Sequence, residues 1–206
     1  SFRTLRVKAH TSRMWSKKHI ALLIALWVIL DYQVYILMHK RSYPLVALIL
    51  VIVGLVSARR SGVEDMMLRV PTRDDWRLVG WVLSAFMVTL VPLALALGFI
   101  QWNPTPAHLR RGLIEPIPIL VFVALPEEII FRGVIQKTAH KLSRNTVFSI
   151  ALTSMLFGLA HLHKGGVFPN WRYGLLATLA GAGYGIAFWR RGLMASTLSH
   201  AFVDIL

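Results

Sequence analysis

Seven apolar stretches alternate with short polar segments along the chain, at about 20–38, 43–58, 78–100, 113–131, 145–163, 173–189 and 193–206. A helix needs roughly 20 apolar residues to cross the hydrocarbon core of a bilayer. The first, third, fourth and fifth stretches meet that length or nearly so, and the second and sixth are shorter. The pattern predicts an all-α, polytopic transmembrane helical bundle of six or seven spans. Residues 1–19 are basic and read as a cytoplasmic N-terminal segment. The apolar run after them has no small-residue cleavage motif and contains Asp31, which predicts a retained anchor. Residues 20–112 form N-terminal transmembrane helices, interrupted at 59–77 by a charged surface helix or loop. In the sixth stretch the run GAGYG (Gly181, Gly183, Gly185) predicts close helix–helix packing.

Composition sharpens this picture. Apolar residues make up 56% of the chain and charged residues only 16%, a ratio that excludes an ordinary soluble domain. There is no cysteine, so a thiol nucleophile, a disulfide and thiolate metal ligands are all excluded. A net charge of +14 would point to nucleic acid in a soluble protein. Here the basic residues cluster between apolar runs, so the expected partner is the lipid bilayer with its anionic headgroups, and no nucleic acid. Segments 1–19, 59–77, 132–144 and 190–191 carry 17 of the 23 Lys and Arg residues. The positive-inside rule then puts these segments and the N-terminus inside.

Ionisable residues within the apolar runs are costly and mark candidate functional groups. Glu127 and Glu128 end the fourth run, and Arg132 follows at i,i+4 from Glu128, where the two can form an ion pair. Glu127 lies about 100° around the helix from Glu128 and is free for another task. His161 closes the fifth run, and His200 and Asp204 share one face of the last. If the fourth run continues as helix past Arg132 and turns near Ser143-Arg144-Asn145, the glutamates and His161 lie about 16 residues from that turn on either side. Two antiparallel helices then bring them to one depth, roughly 25 Å from the turn. Whether 132–144 lies at the membrane surface or projects beyond it sets the depth of that site, and both remain open. His140 and His163 sit in polar connections and are read as interfacial, while Asp31 is expected to make a helix–helix hydrogen bond.

A carboxylate beside an imidazole can take a proton from water and pass it to a leaving amine. A second histidine, held in one tautomer by Asp204, can donate to a developing oxyanion. These are the parts needed for amide hydrolysis. The same residue types bind divalent metals such as zinc, with Glu128, His161 and His200 as ligands and Glu127 as base; a site requiring no cofactor is the alternative. HExxH, GxSG and GxGD signatures are absent.

Three motifs carry a family resemblance: EEIIFR at 127–132 fits EExxxR, FGLAH at 157–161 fits FxxxH, and HAFVD at 200–204 fits HxxxN/D. In this the chain resembles the CPBP family (CAAX proteases and bacteriocin-processing enzymes), which includes the type II CAAX prenyl endopeptidase. The resemblance spans about 113–206 and implies a catalytic helical core there with an intramembrane active site. It implies an endopeptidase that cleaves a membrane-associated peptide or protein, with Glu127 activating water and His161 assisting. Glu128 and Arg132 would support the site, and His200 with Asp204 would stabilise the oxyanion. Family members include glutamate-type and metal-dependent descriptions. The third motif carries Asp204 where eukaryotic-type enzymes have Asn, so its role would be to orient His200. Small size and basic connections resemble bacterial members, which implies a bacterial cytoplasmic membrane. The competing reading is a non-catalytic membrane protein, either an immunity protein that sequesters a peptide or a proton or ion pathway.

Overall fold

The computed structural model describes residues 15–36, 43–103, 105–165 and 167–205. Most of the basic segment 1–19, and the connection expected at 39–42, lie outside the described residues. Every described regular element is helical, without a strand. The helices are α1 (Lys17–Ile36), α2 (Tyr43–Ser61), α3 (Arg73–Ala96), α4 (Pro106–Ile114), α5 (the unbroken helical stretch 116–143), α6 (Thr146–Leu159), α7 (Trp171–Arg191) and α8 (Leu193–Ile205). Each apolar stretch corresponds to one helix, and α4 is additional. It begins in the segment 101–112, between the third and fourth apolar stretches, and ends at Ile114.

Capping residues set the boundaries. Thr72 and Asp75 exchange side chain–backbone hydrogen bonds at the start of α3, in a capping box. Arg144 adopts a left-handed conformation, φ 53°, that ends α5. Asn145 Oδ1 then accepts from Phe148 N at 3.0 Å and starts α6. The turn therefore falls at the three residues supposed for the antiparallel pairing of the two helices.

α5 is not uniform. It passes through π-helical geometry at Leu120–Ala124 and again at Ile129–Gln136, with the α-helical turn Leu125–Glu128 between them. Pro126 lacks the N–H that would bond to Phe122 and its ring crowds that carbonyl, so the preceding turn widens. Glu127 and Glu128 sit on the tight turn between the two wide segments, which turns both side chains inward.

α7 lies at the centre, packed against α3, α6 and α8. The GAGYG run permits this on three sides. A Cβ added at Gly181 would meet Phe157 at 3.3 Å, one at Gly183 would meet Phe86 at 2.6 Å, and one at Gly185 would meet Gln136 at 3.0 Å. The α6–α7 crossing is tighter still, because a Cβ at Gly158 would collide with Thr178 and with the Gly174 carbonyl. Backbone cannot swing aside as a side chain can. We therefore expect Gly158→Ala to cost about 1–3 kcal/mol, read as a lowered thermal unfolding midpoint in detergent. An unchanged midpoint would show that the crossing is looser than its contacts indicate.

The bundle is apolar outside and holds charged and polar groups within an otherwise apolar core. Leu22 and Val28 on α1, Leu45 and Ile52 on α2, Trp81 and Val88 on α3, and Val147 and Leu159 on α6 are all exposed. Glu128, Arg132, Gln136 and Lys137 are buried. That distribution suits a hydrocarbon solvent, where an outward apolar face costs nothing and polar groups need partners inside. By length and hydropathy α2 and α3 are each able to cross a membrane, while α6 and α8 are apolar but shorter.

The basic segments meet at one end. Trp15 Nε1 donates to the Gly133 carbonyl at 3.2 Å, Lys137 pairs with Asp65 at 2.6 Å, and Arg191 pairs with Asp75 at 2.7 Å. Asp75 also receives Arg69 at 2.5 Å. Met66 packs against Gly133, so that glycine is level with the connection between α2 and α3. The last turns of α5 consequently project past this connection.

Candidate active site

Three helices bring the motif residues together. α5 contributes Glu127, Glu128 and Arg132, the end of α6 leads into His161, and α8 contributes His200 and Asp204. The matched spacing about the Arg144 turn sets the glutamates beside the His161 segment, and α8 closes the third side.

Glu128 is the structural hub. One oxygen accepts from Arg132 Nε at 3.0 Å and from the Ser196 hydroxyl. The other faces His200 Nδ1 at 3.0 Å. Glu128 and Arg132 side chains are both 0% exposed. The guanidinium lies 5.3 Å from the Phe157 ring centroid and 5.9 Å from that of Tyr184, so aromatic faces stand where acceptors would otherwise be needed. Among the described residues its two terminal nitrogens have no hydrogen-bond partner.

His200 is fixed by stacking on one face and by contacts at its edges. Tyr184 stacks on it at 4.5 Å, Phe157 meets it edge-on at 5.5 Å, and Glu128 takes Nδ1. This corrects the expectation that Asp204 sets the tautomer. Asp204 Oδ2 is instead 3.5 Å from Nε2, the same nitrogen that faces Glu127 Oε2 at 3.7 Å.

Glu127 has one oxygen engaged and one available. Oε1 accepts from Lys164 Nζ at 3.0 Å. Oε2 is buried without a hydrogen-bond partner among the described residues and points toward His200 Nε2. His161 Nδ1 lies 2.7 Å from the Phe157 carbonyl. A carbonyl only accepts, so Nδ1 carries the proton and Nε2 of the neutral ring is a lone-pair nitrogen. That nitrogen is 3.4 Å from Lys164 Nζ, on the Glu127 side.

Asp31, expected to make a helix–helix hydrogen bond, instead faces the α6–α7 connection. It lies 3.7 Å from His163 Nε2 and 3.8 Å from Lys164 Nζ. Lys164, Ser196, Tyr184 and Asp31 thus join the site although they lie outside the three motifs. Ser196 was discoverable, since it precedes His200 by four residues on the face shared with Asp204. Lys164 carried no such signal, because it sits in a connection whose path depends on tertiary contacts. His140 is far from this chemistry and packs on Trp189 at 4.5 Å.

The candidate metal ligands are not gathered into one set. Among the described residues no three His, Asp or Glu side chains are arranged to hold one. Glu128 is turned to Arg132, Ser196 and the Nδ1 edge of His200, while His161 presents its free edge to Lys164. Glu128, His161 and His200 therefore do not share a common centre.

Residues 110–206 match the family model described as Type II CAAX prenyl endopeptidase Rce1-like. No curated protein and no solved structure matches the chain.

Proposed function

Because the stretch 110–206 belongs to the CPBP family of CAAX proteases, we propose that this membrane protein is an intramembrane endopeptidase that hydrolyses a peptide bond of a membrane-associated protein or peptide. The observation that carries this reading is Glu127 Oε2, a buried acceptor without a partner that faces His200 Nε2. A water at that oxygen would lose a proton to Glu127 as its oxygen bonds to the scissile carbonyl carbon. With Nδ1–H given to Glu128, a protonated His200 has Nε2–H left to stabilise the oxyanion that forms. The C–N bond then breaks, and the proton held by Glu127 passes to the leaving amine. His161 offers Nε2 as a second proton acceptor beside the carboxylate. Glu128 and Arg132 act on the reaction through His200, by holding its ring.

The apolar exterior and the family match support a membrane location for this protein. An N-terminus-inside orientation is our reading of the Lys and Arg excess. The shared end formed by Trp15, Asp65, Asp75, Lys137 and Arg191 supports it.

The test is reconstitution in lipid nanodiscs with a panel of membrane-anchored peptides, some lipidated and some not, with fragments identified by mass spectrometry. Cleavage is expected, reduced about a hundredfold in His161→Gln. Cleavage at the wild-type rate by both His161→Gln and Glu127→Gln would sink the reading.

A further inference from the structure

Lys164 stands at the centre of a row of charges that neither the motifs nor the matched family region contains in full. Its Nζ is 3.0 Å from Glu127 Oε1, 3.4 Å from His161 Nε2 and 3.8 Å from Asp31 Oδ1. Asp31 belongs to α1, outside 110–206. The loop holds this lysine in place. Asn170 Nδ2 donates to the Lys164 carbonyl at 3.0 Å, Asn170 N donates to the Leu162 carbonyl at 2.8 Å, and Lys164 N donates to the His161 carbonyl at 3.1 Å. Asn170 also caps α7, so one side chain ties the helix start to the lysine's position. Gly165 follows with φ +84°, a conformation that an L side chain would strain.

We propose that Lys164 is a positioning residue, the counter-ion that keeps Glu127 as a carboxylate inside the bundle, and that α1 completes the active site by tethering this lysine through Asp31. The proposal rests on the reading of Glu127 as the water-activating base. A carboxyl group removed from water and facing no cation favours its neutral form, which cannot accept a proton. Among the described residues, the groups around Glu127 do not supply a second permanent cation. His161, His200 and His163 are imidazoles; Asp204 and Asp31 are carboxyls; Tyr43 and Tyr173 are phenols. Arg132 is committed to Glu128. Two carboxylates sharing one ammonium also explains why an acidic residue is retained within the apolar α1: without Asp31, Lys164 would lose the contact that holds it over the site from the α1 side.

The experiment uses the full chain in nanodiscs and two readouts. Infrared difference spectra between a protein and its own Glu127→Gln derivative isolate the Glu127 band. At pH 7 the wild-type pair is expected to show a carboxylate, and the pair built on Lys164→Met a neutral carboxyl. Hydrolysis should fall about 10–100-fold in Lys164→Met, mainly in kcat, and recover in Lys164→Arg. Asp31→Asn should give a smaller loss of the same kind. Lys164→Gln repeats the test with a polar side chain should the methionine variant fold poorly. A carboxylate that persists with Lys164→Met or Lys164→Gln overturns the proposal, as does a rise in activity, which would make the lysine a block on the site. A wild type that cleaves nothing, yet shows the infrared change, would overturn the protease reading and leave the counter-ion role standing.

Discussion

Glu127→Gln leaves the bundle folded and lowers peptide hydrolysis by about 10²–10⁴-fold, the range removed with a well-placed general base. The amide has the shape of the carboxylate and its oxygen still accepts from Lys164, so the contact at 3.0 Å has a replacement. What disappears is the proton acceptor at Oε2, the atom that faces His200. Lys164 keeps Asp31 and is partly exposed, so the charge left behind is tolerated. Steady-state cleavage in nanodiscs, measured beside the thermal unfolding midpoint, separates the two effects. A variant within tenfold of the wild-type rate would remove Glu127 from the role of base. A collapsed midpoint would instead assign it to the scaffold.

Arg132→Met has its largest effect on stability. The Glu128–Arg132 pair is fully buried, and removing one member strands the other in a low dielectric. Such a change costs about 3–5 kcal/mol, whereas replacing both members by neutral groups is often close to neutral. The double variant Glu128→Gln with Arg132→Met should therefore recover most of the lost stability, a coupling that a double-mutant cycle measures directly. It should not recover hydrolysis, because Glu128 also takes His200 Nδ1 at 3.0 Å and aligns the ring. Equal stability of Arg132→Met and wild type would mean that Ser196 and His200 alone satisfy the Glu128 carboxylate.

The three motifs were legible because helical geometry alone relates their members. Residues four apart share a face, so Glu128 with Arg132 and His200 with Asp204 could be paired before any fold was known. The turn at Ser143-Arg144-Asn145 was legible for a similar reason. Asparagine is a strong N-cap, and equal helix lengths on both sides of a turn fix which residues face each other. The GAGYG contacts followed from size alone.

Other features were not legible because no local rule produces them. The π-helical segments of α5 answer to Pro126 and to neighbouring helices together. The assignment of His200 Nδ1 to Glu128, and not to Asp204, depends on how deeply α8 sits against α5. Asp31 looked like an isolated polar residue because its partners lie more than 130 positions away.

By itself, the sequence determined the helical class, the apolar exterior, the order of the helices and the motif residues that gather near Glu127. Those properties depend on periodicity, capping and side-chain chemistry, which act over a turn or two. Only the tertiary structure decided which oxygen of Glu127 is available, that Glu128 aligns His200, and that Lys164 bridges Glu127 to α1. Each depends on the relative depth and rotation of separate helices, set by packing over the whole bundle, and a shift of one residue in any of them would change every partner.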